Sequence, residues 1–215
     1  MVFLFPDASD FPDVNLSNDD GLLAFGGNLE TSTLLKAYKK GIFPWYNEGE
    51  PICWYSPDPR FVLFPEKLKV SKSMNAIIRK NQFNFSVNKN FSGIIKGCRH
   101  AKRNYGDGTW ITDEIENAYV RLFEKGFAHS AEAWCNDELA GGLYGVKLGK
   151  VFFGESMFAN KPNASKFALI KFIEHLKKQG VQLIDCQVYT PHLESLGAEF
   201  IRRKTFIELL QVLTG

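Results

Sequence analysis

Two apolar runs, each broken by a single acid and separated by one amphipathic helix, restrict this 215-residue chain more than any other feature. The first run is VFFGESMF, residues 151–158, with Glu155 inside it; the second is VQLIDCQV, residues 181–188, with Asp185. Between them, residues 164–179 carry Phe167, Ile170, Ile173 and Leu176 on one helical face, and Gly180 ends the pattern. A strand–helix–strand unit makes its strands parallel, so the two runs are expected to be near neighbours in one sheet. Side chains along a strand alternate, which groups Val151, Phe153, Glu155 and Met157 on one face, and Val181, Leu183, Asp185 and Gln187 on one face. Both acids then fall near the C-terminal ends of their strands, on a common rim. A carboxylate buried there without partners is costly. A functional site would explain the pair, and so would strand ends that reach solvent or cap a neighbouring loop.

The remaining pattern also interleaves. Residues 61–64, 83–87, 128–135, 138–147 and 150–156 read as strands, with Asn136-Asp137 and Gly149 at turns. Ser71 or Ser73 caps a basic helix reaching about Lys80, a second helix runs from about Phe91 to Arg103, and Thr112 caps a third that Gly126 ends. A short helix, a strand and a C-terminal helix follow the 181–188 strand. The first 30 residues show little periodicity, and a short helix capped by Ser32 and stopped by Gly41 leads into aromatic, proline-rich sequence. The expected class is α+β (mixed α/β), around one mixed, largely antiparallel sheet. A boundary near Pro57–Arg60 divides a small N-terminal domain, residues 1–58, from residues 59–215.

Charge changes at the same place. Residues 1–60 carry four Lys/Arg against nine acids, whereas Glu66 to Arg103 holds ten Lys/Arg and one acid, a local charge of +9. Such a segment is either a polyanion-binding surface or a solvated basic face. Trp45, Tyr46, Trp54, Tyr55 and Trp110 lie in or beside loops, and they either stack on unpaired nucleotides or pack internally. The four cysteines form no CxxC pair and the four histidines lack metal-ligand spacing, so no metal site is expected. No apolar run approaches the roughly 18–20 residues that span a bilayer, and the N-terminus has no basic leader, which points to the cytoplasm. GGLYG at 141–145 lacks the P-loop spacing; its glycines suit close backbone approach or a bulge.

Ten motifs occurring in order resemble the leucyl/phenylalanyl-tRNA–protein transferase family: GLLAFGGNL, GIFPWY, WYSPDPR, GTWIT, AHSAEAW, GGLYGV, FFGESMF, NASK, LIDCQV and LGAEFIRR, spanning residues 21–203. The resemblance implies a GNAT-like acyltransferase domain behind the small N-terminal one. It implies transfer of Leu or Phe, and less well Met, from aminoacyl-tRNA to the α-amine of proteins beginning with Arg or Lys, without cofactor. By the same resemblance Asp185, Gln187 and Glu155 are the catalytic residues. Leu143, Phe152, Met157 and Ile184 form the aminoacyl pocket, Trp45 and Trp110 hold the tRNA 3′-adenosine, and Lys72, Arg79 and Lys80 contact the tRNA backbone.

Two rivals remain on the residues themselves. An acetyl-CoA-dependent acetyltransferase needs a glycine-rich pyrophosphate loop before the long helix, where this chain has FANKPNASK. A non-catalytic RNA-binding protein would use the basic segment but leaves Glu155, Asp185 and Gln187 without a role.

Overall fold

The computed structural model describes residues 2–5, 10–101 and 110–215. The structure is a mixed α/β fold with two sheets among these residues. The smaller is built from β1 (Val2–Leu4), β2 (Leu22–Gly26), β3 (Phe43–Pro44) and β4 (Cys53–Tyr55), in the order β1-β2-β4-β3. Two of its strands lie within the first 30 residues, where periodicity gave no sign of them; at three to five residues they are too short to alternate visibly. Helix α1 (Thr31–Lys39) follows β2. It starts one residue before Ser32, so Ser32 is not its cap. Asn28 ties down the first turn instead, its Oδ1 accepting from the Glu30 N–H and the Thr33 hydroxyl.

The larger sheet has the order β11-β5-β10-β9-β8-β7-β6. Its strands are β5 (Arg60–Leu63), β6 (Asn84–Val87), β7 (Ala128–Cys135), β8 (Glu138–Leu148), β9 (Val151–Ala159), β10 (Leu183–Gln187) and β11 (Glu199–Ile201). Only the β9–β10 pair is parallel; every other neighbouring pair in this sheet is antiparallel. The expected strand–helix–strand unit is present, with α5 (Ala164–Lys178) as its crossover. Phe167, Ile170, Ile173 and Leu176 are all buried, as the helical spacing requires.

Helix α5 and α2 (Lys72–Arg79) cover one face of this sheet, over a core that includes Phe152, Phe172 and Ile184. On the other face lie α3 (Phe91–Arg99), α4 (Asp113–Glu124) and α7 (Arg203–Leu213). That second core is continuous with the smaller sheet, since Leu23, Tyr38 and Trp54 belong to it together with Ile94, Tyr119 and Phe206. The Ser71 and Thr112 caps form as expected, accepting from Met74 and Ile115. Helix α3 ends at Arg99 rather than Arg103, and residues 102–109, with the loop before Trp110, lie outside the described residues. A short helix, α6 (Pro191–Ser195), links β10 to β11.

Simple alternation fails at both acids, and the failures shape the site. Ser156 pairs with Tyr144 and Gly154 with Gly145, which leaves Glu155 as an unopposed bulge residue. The extra residue turns Met157 to the α5 face, away from Val151 and Phe153. In β10 the register shifts between Asp185 and Gln187, and Gln187 takes a left-handed φ of 64°. Val181 precedes the strand, in the turn after α5, and packs in the opposite core from Leu183.

Candidate active site

Strands β9 and β10 pair for three rungs only: Val151 with Leu183, Phe152 with Ile184, and Phe153 with Asp185. Beyond them β9 runs on to Ala159 and β10 to Gln187 with no further pairing. A cavity of about 270 Å³ opens where the ladder stops. Leu143, Phe152, Met157, Leu169, Ile184 and Leu193 give it an apolar wall, and Glu155, Asp185 and Gln187 lie along its polar side. All four residues expected to form the aminoacyl pocket therefore line one space, together with the three expected catalytic residues. A mostly apolar hollow with a few convergent polar groups is the usual build of a small-ligand site.

Asp185 does not stand open on the rim. It is fully buried, and the Arg60 guanidinium grips it at both oxygens, Nε to Oδ1 at 2.8 Å and Nη2 to Oδ2 at 2.7 Å. Arg60 is itself buried, with its guanidinium carbon 4.7 Å from the ring centres of both Phe43 and Phe206. Asp185 Oδ1 also accepts the Gln187 backbone N–H at 2.9 Å. The carboxylate thus fastens the turn that presents Gln187.

The Gln187 side chain is oriented by Glu155, not by Asp185: its Nε2 donates to Glu155 Oε1 at 3.0 Å. An amide that donates there keeps its carbonyl oxygen as an acceptor. Glu155 also accepts from Tyr38 Oη at 2.8 Å and Tyr119 Oη at 2.9 Å, and the two hydroxyls meet each other. Burial raises the Glu155 carboxyl from 4.5 to about 7, helped by the Asp185 charge and opposed by the hydrogen bonds from Tyr38, Tyr119 and Gln187. Burial, then the Glu155 charge, pushes both tyrosines well above 10. Cys186 lies in the same turn, where burial and then the Asp185 charge push its thiol up and disfavour the thiolate.

A second hollow, about 180 Å³, adjoins the first and shares Trp110, Glu155, Gln187 and Val188 with it. Trp45 and Trp110 line it with Phe43 and Pro44. Trp45 is 46% exposed, whereas Trp54 and Tyr46 are core residues, Trp54 donating to the Gly26 carbonyl. The structure thus separates the five loop aromatics into two that border the site and two that pack internally, with Tyr55 half-buried against Trp45. Lys72, Arg79 and Lys80 are exposed on and just after α2, and none makes an ion pair among the described residues. The GGLYG glycines act as close-approach positions: a Cβ at Gly145 would lie 2.1 Å from the Phe153 carbonyl oxygen.

Sequence reasoning missed Arg60, Tyr38, Tyr119 and Phe43. A signal existed for Arg60, a charge heading the apolar FVLF strand, and for Tyr38, which shares the buried face of α1 with Leu34. Nothing local connects either to an acid more than a hundred residues away.

A family model described as leucyl/phenylalanyl-tRNA protein transferase matches residues 62–211, and its N-terminal domain model matches residues 27–58. The chain belongs to this family, and it is an aminoacyltransferase. Among its relatives is a leucyl/phenylalanyl-tRNA–protein transferase of Christiangramia forsetii, 51% identical over 98% of this chain and all of its own length. The protein of that name from Syntrophus aciditrophicus is 53% identical over 94% of this chain and 84% of its own. Among solved structures, L-PGS from Bacillus licheniformis is 12% identical, with a TM-score of 0.43 over 89% of this chain and 72% of its own. Among the described residues no helix is long and apolar enough to cross a membrane.

Proposed function

We propose that this chain transfers Leu or Phe, and less readily Met, from the 3′ end of a charged tRNA to the α-amine of proteins beginning with Arg or Lys. In the cytoplasm that addition marks the acceptor for N-end-rule degradation. We further read residues 1–58 as a small N-terminal domain and residues 59–215 as a GNAT-like acyltransferase domain. One observation carries this reading: an apolar cavity and an aromatic hollow meet at the Glu155–Gln187 pair.

The apolar cavity suits the donor's Leu or Phe side chain. Charged side chains are rejected by desolvation, and neighbouring apolar ones by shape, at about 1–3 kcal/mol per methylene. The hollow beside Trp45 and Trp110 suits the terminal adenosine, whose base stacks on either ring. Lys72, Arg79 and Lys80 suit the tRNA backbone. The scissile ester then lies at the junction.

The acceptor's neutral amine attacks the ester carbonyl carbon. A C–N bond forms, the C–O bond to the ribose breaks, and the amine's proton goes to the departing oxygen. The ester arrives activated, and an α-amine of pKa about 7.7–8.0 has a useful neutral fraction at neutral pH. Positioning is therefore the main task. The Gln187 carbonyl oxygen accepts from the attacking amine and aims it. Glu155, once ionised, offers its charge to a cation at the junction, the acceptor's basic side chain or the donor's α-ammonium. Asp185 holds the turn that presents Gln187.

The test uses radiolabelled Phe-tRNA with two acceptor proteins that differ only in beginning with Arg or Gly. Label entering the Arg protein alone supports the reading. Equal labelling would overturn the acceptor assignment, and no labelling of either would overturn the reaction. The same result disposes of the acetyl-CoA and RNA-binding rivals.

A further inference from the structure

We propose that Arg60 is a positioning residue for aminoacyl transfer, holding the Asp185–Gln187 turn in its reactive shape from across the sheet; this rests on the function proposed above. Three observations converge on it. Arg60 binds both Asp185 oxygens, and one of those oxygens also receives the Gln187 N–H. Gln187 sits in left-handed backbone, φ 64°, which a non-glycine residue keeps only when its surroundings impose it. The guanidinium cannot shift, because it is clamped between Phe43 of β3 and Phe206 of α7.

The chain of constraint has four links. The two rings fix the guanidinium plane. The plane fixes the carboxylate through parallel N–H···O bonds, which a fork of donors can make and a single ammonium cannot. The carboxylate fixes the Gln187 N–H, and that turn aims the Gln187 amide at Glu155 and the junction. Arg60 lines neither cavity, and its link to Gln187 runs through Asp185. Its remaining Nη1 is buried with no hydrogen-bond partner among the described residues, and the ring faces supply the compensation for it. Phe43 also belongs to the wall of the aromatic hollow, so one ring serves the Trp45 side and the Gln187 turn together.

The test is Arg60→Lys, which keeps the charge and loses the fork. The kcat of single-turnover transfer from Phe-tRNA to the Arg-beginning acceptor should fall roughly 100-fold, the scale of an ångström-sized misplacement. The KM for Phe-tRNA and the stoichiometry of its binding should stay within about twofold, since Arg60 lines neither cavity. The Gln187 backbone amide is a spectroscopic reporter independent of transfer. Its proton resonance should move upfield and lose exchange protection in Arg60→Lys while the amides of β7 and β8 keep theirs. Should Arg60→Lys not fold, Phe206→Leu removes one ring and leaves the ion pair, and a several-fold loss of kcat at constant KM is expected. An unchanged Gln187 resonance, or a kcat that falls only in step with binding stoichiometry, would overturn the role of Arg60. Absence of transfer by the unsubstituted protein would instead overturn the proposed function, and the amide reporter would still decide the placement of Arg60.

Discussion

Two regions of the same sheet are built by opposite rules. Strands β7, β8 and β9 form long antiparallel ladders, Ala128–Cys135 against Glu138–Leu148 and the latter against Val151–Ala159, so nearly every backbone group is paired. The β9–β10 seam is parallel, holds for three rungs and then opens. A finished ladder leaves no room for a ligand, whereas an interrupted one exposes side chains and backbone at a single spot that both strands still fix. The interruption has a local cause on each strand, the Glu155 bulge on one side and the Gln187 turn on the other. The acids divide accordingly. Asp185 is fully buried, gripped by Arg60, and serves the architecture. Glu155 has only neutral hydrogen-bonding partners, and burial raises its carboxyl to about 7, which suits the role proposed for it.

The largest expected effect comes from destroying the closed end of the seam. Asp185→Ala leaves the Arg60 charge buried and unpaired, which should cost about 3–5 kcal/mol of stability in thermal or urea unfolding. Transfer should fall by roughly 100-fold, the scale of an ångström-sized misplacement, while the folded fraction binds aminoacyl-tRNA nearly as before. Equal loss of both would mean that Asp185 contacts the donor. At the open end, Trp45→Ala should cost about 1–3 kcal/mol of donor affinity, read as a raised KM for Phe-tRNA at unchanged kcat. Farther away, Arg79→Ala with Lys80→Ala should weaken several charged tRNAs alike and reduce the salt slope by about one unit per lost phosphate contact.

The smallest effect is the most specific to Glu155. Its carboxyl is raised in the fold, so the folded state binds that proton more tightly than the unfolded chain. The resulting stability is fully present below the ordinary value of 4.5 and is lost as pH rises to about 7. Denaturation curves across that window should show the decline in the unsubstituted protein and a flatter profile in Glu155→Gln. An identical slope in both would place the titration elsewhere.

The helical spacing of residues 164–179 and its two flanking apolar runs predict the parallel seam, because periodicity and crossover geometry are local or nearly so. The pocket residues Leu143, Phe152, Met157 and Ile184 were named by family resemblance, and the cavity gathers them. Other features were not legible. A bulge is one residue without a partner; the GGLYG glycines allowed for one, and the register shifts at Tyr144–Gly145, but nothing in FFGESMF marks Glu155 as the residue left over. The partners of the acids are long-range: Arg60 and Asp185 are 125 residues apart, and Tyr38 and Glu155 are 117. Alternation therefore placed both acids correctly along the chain but misjudged their surroundings, opening Asp185 to a rim that Arg60 closes.

The central claim is that the opening of the β9–β10 seam receives the donor's side chain, and filling it is the most direct test. Met157→Trp puts a larger side chain into the cavity from a half-buried position. With folding verified by circular dichroism, kcat/KM for Phe-tRNA should drop roughly 100-fold, since the donor can no longer seat its ester at Gln187. A folded Met157→Trp protein that transfers Phe within twofold of the unsubstituted rate would contradict the claim.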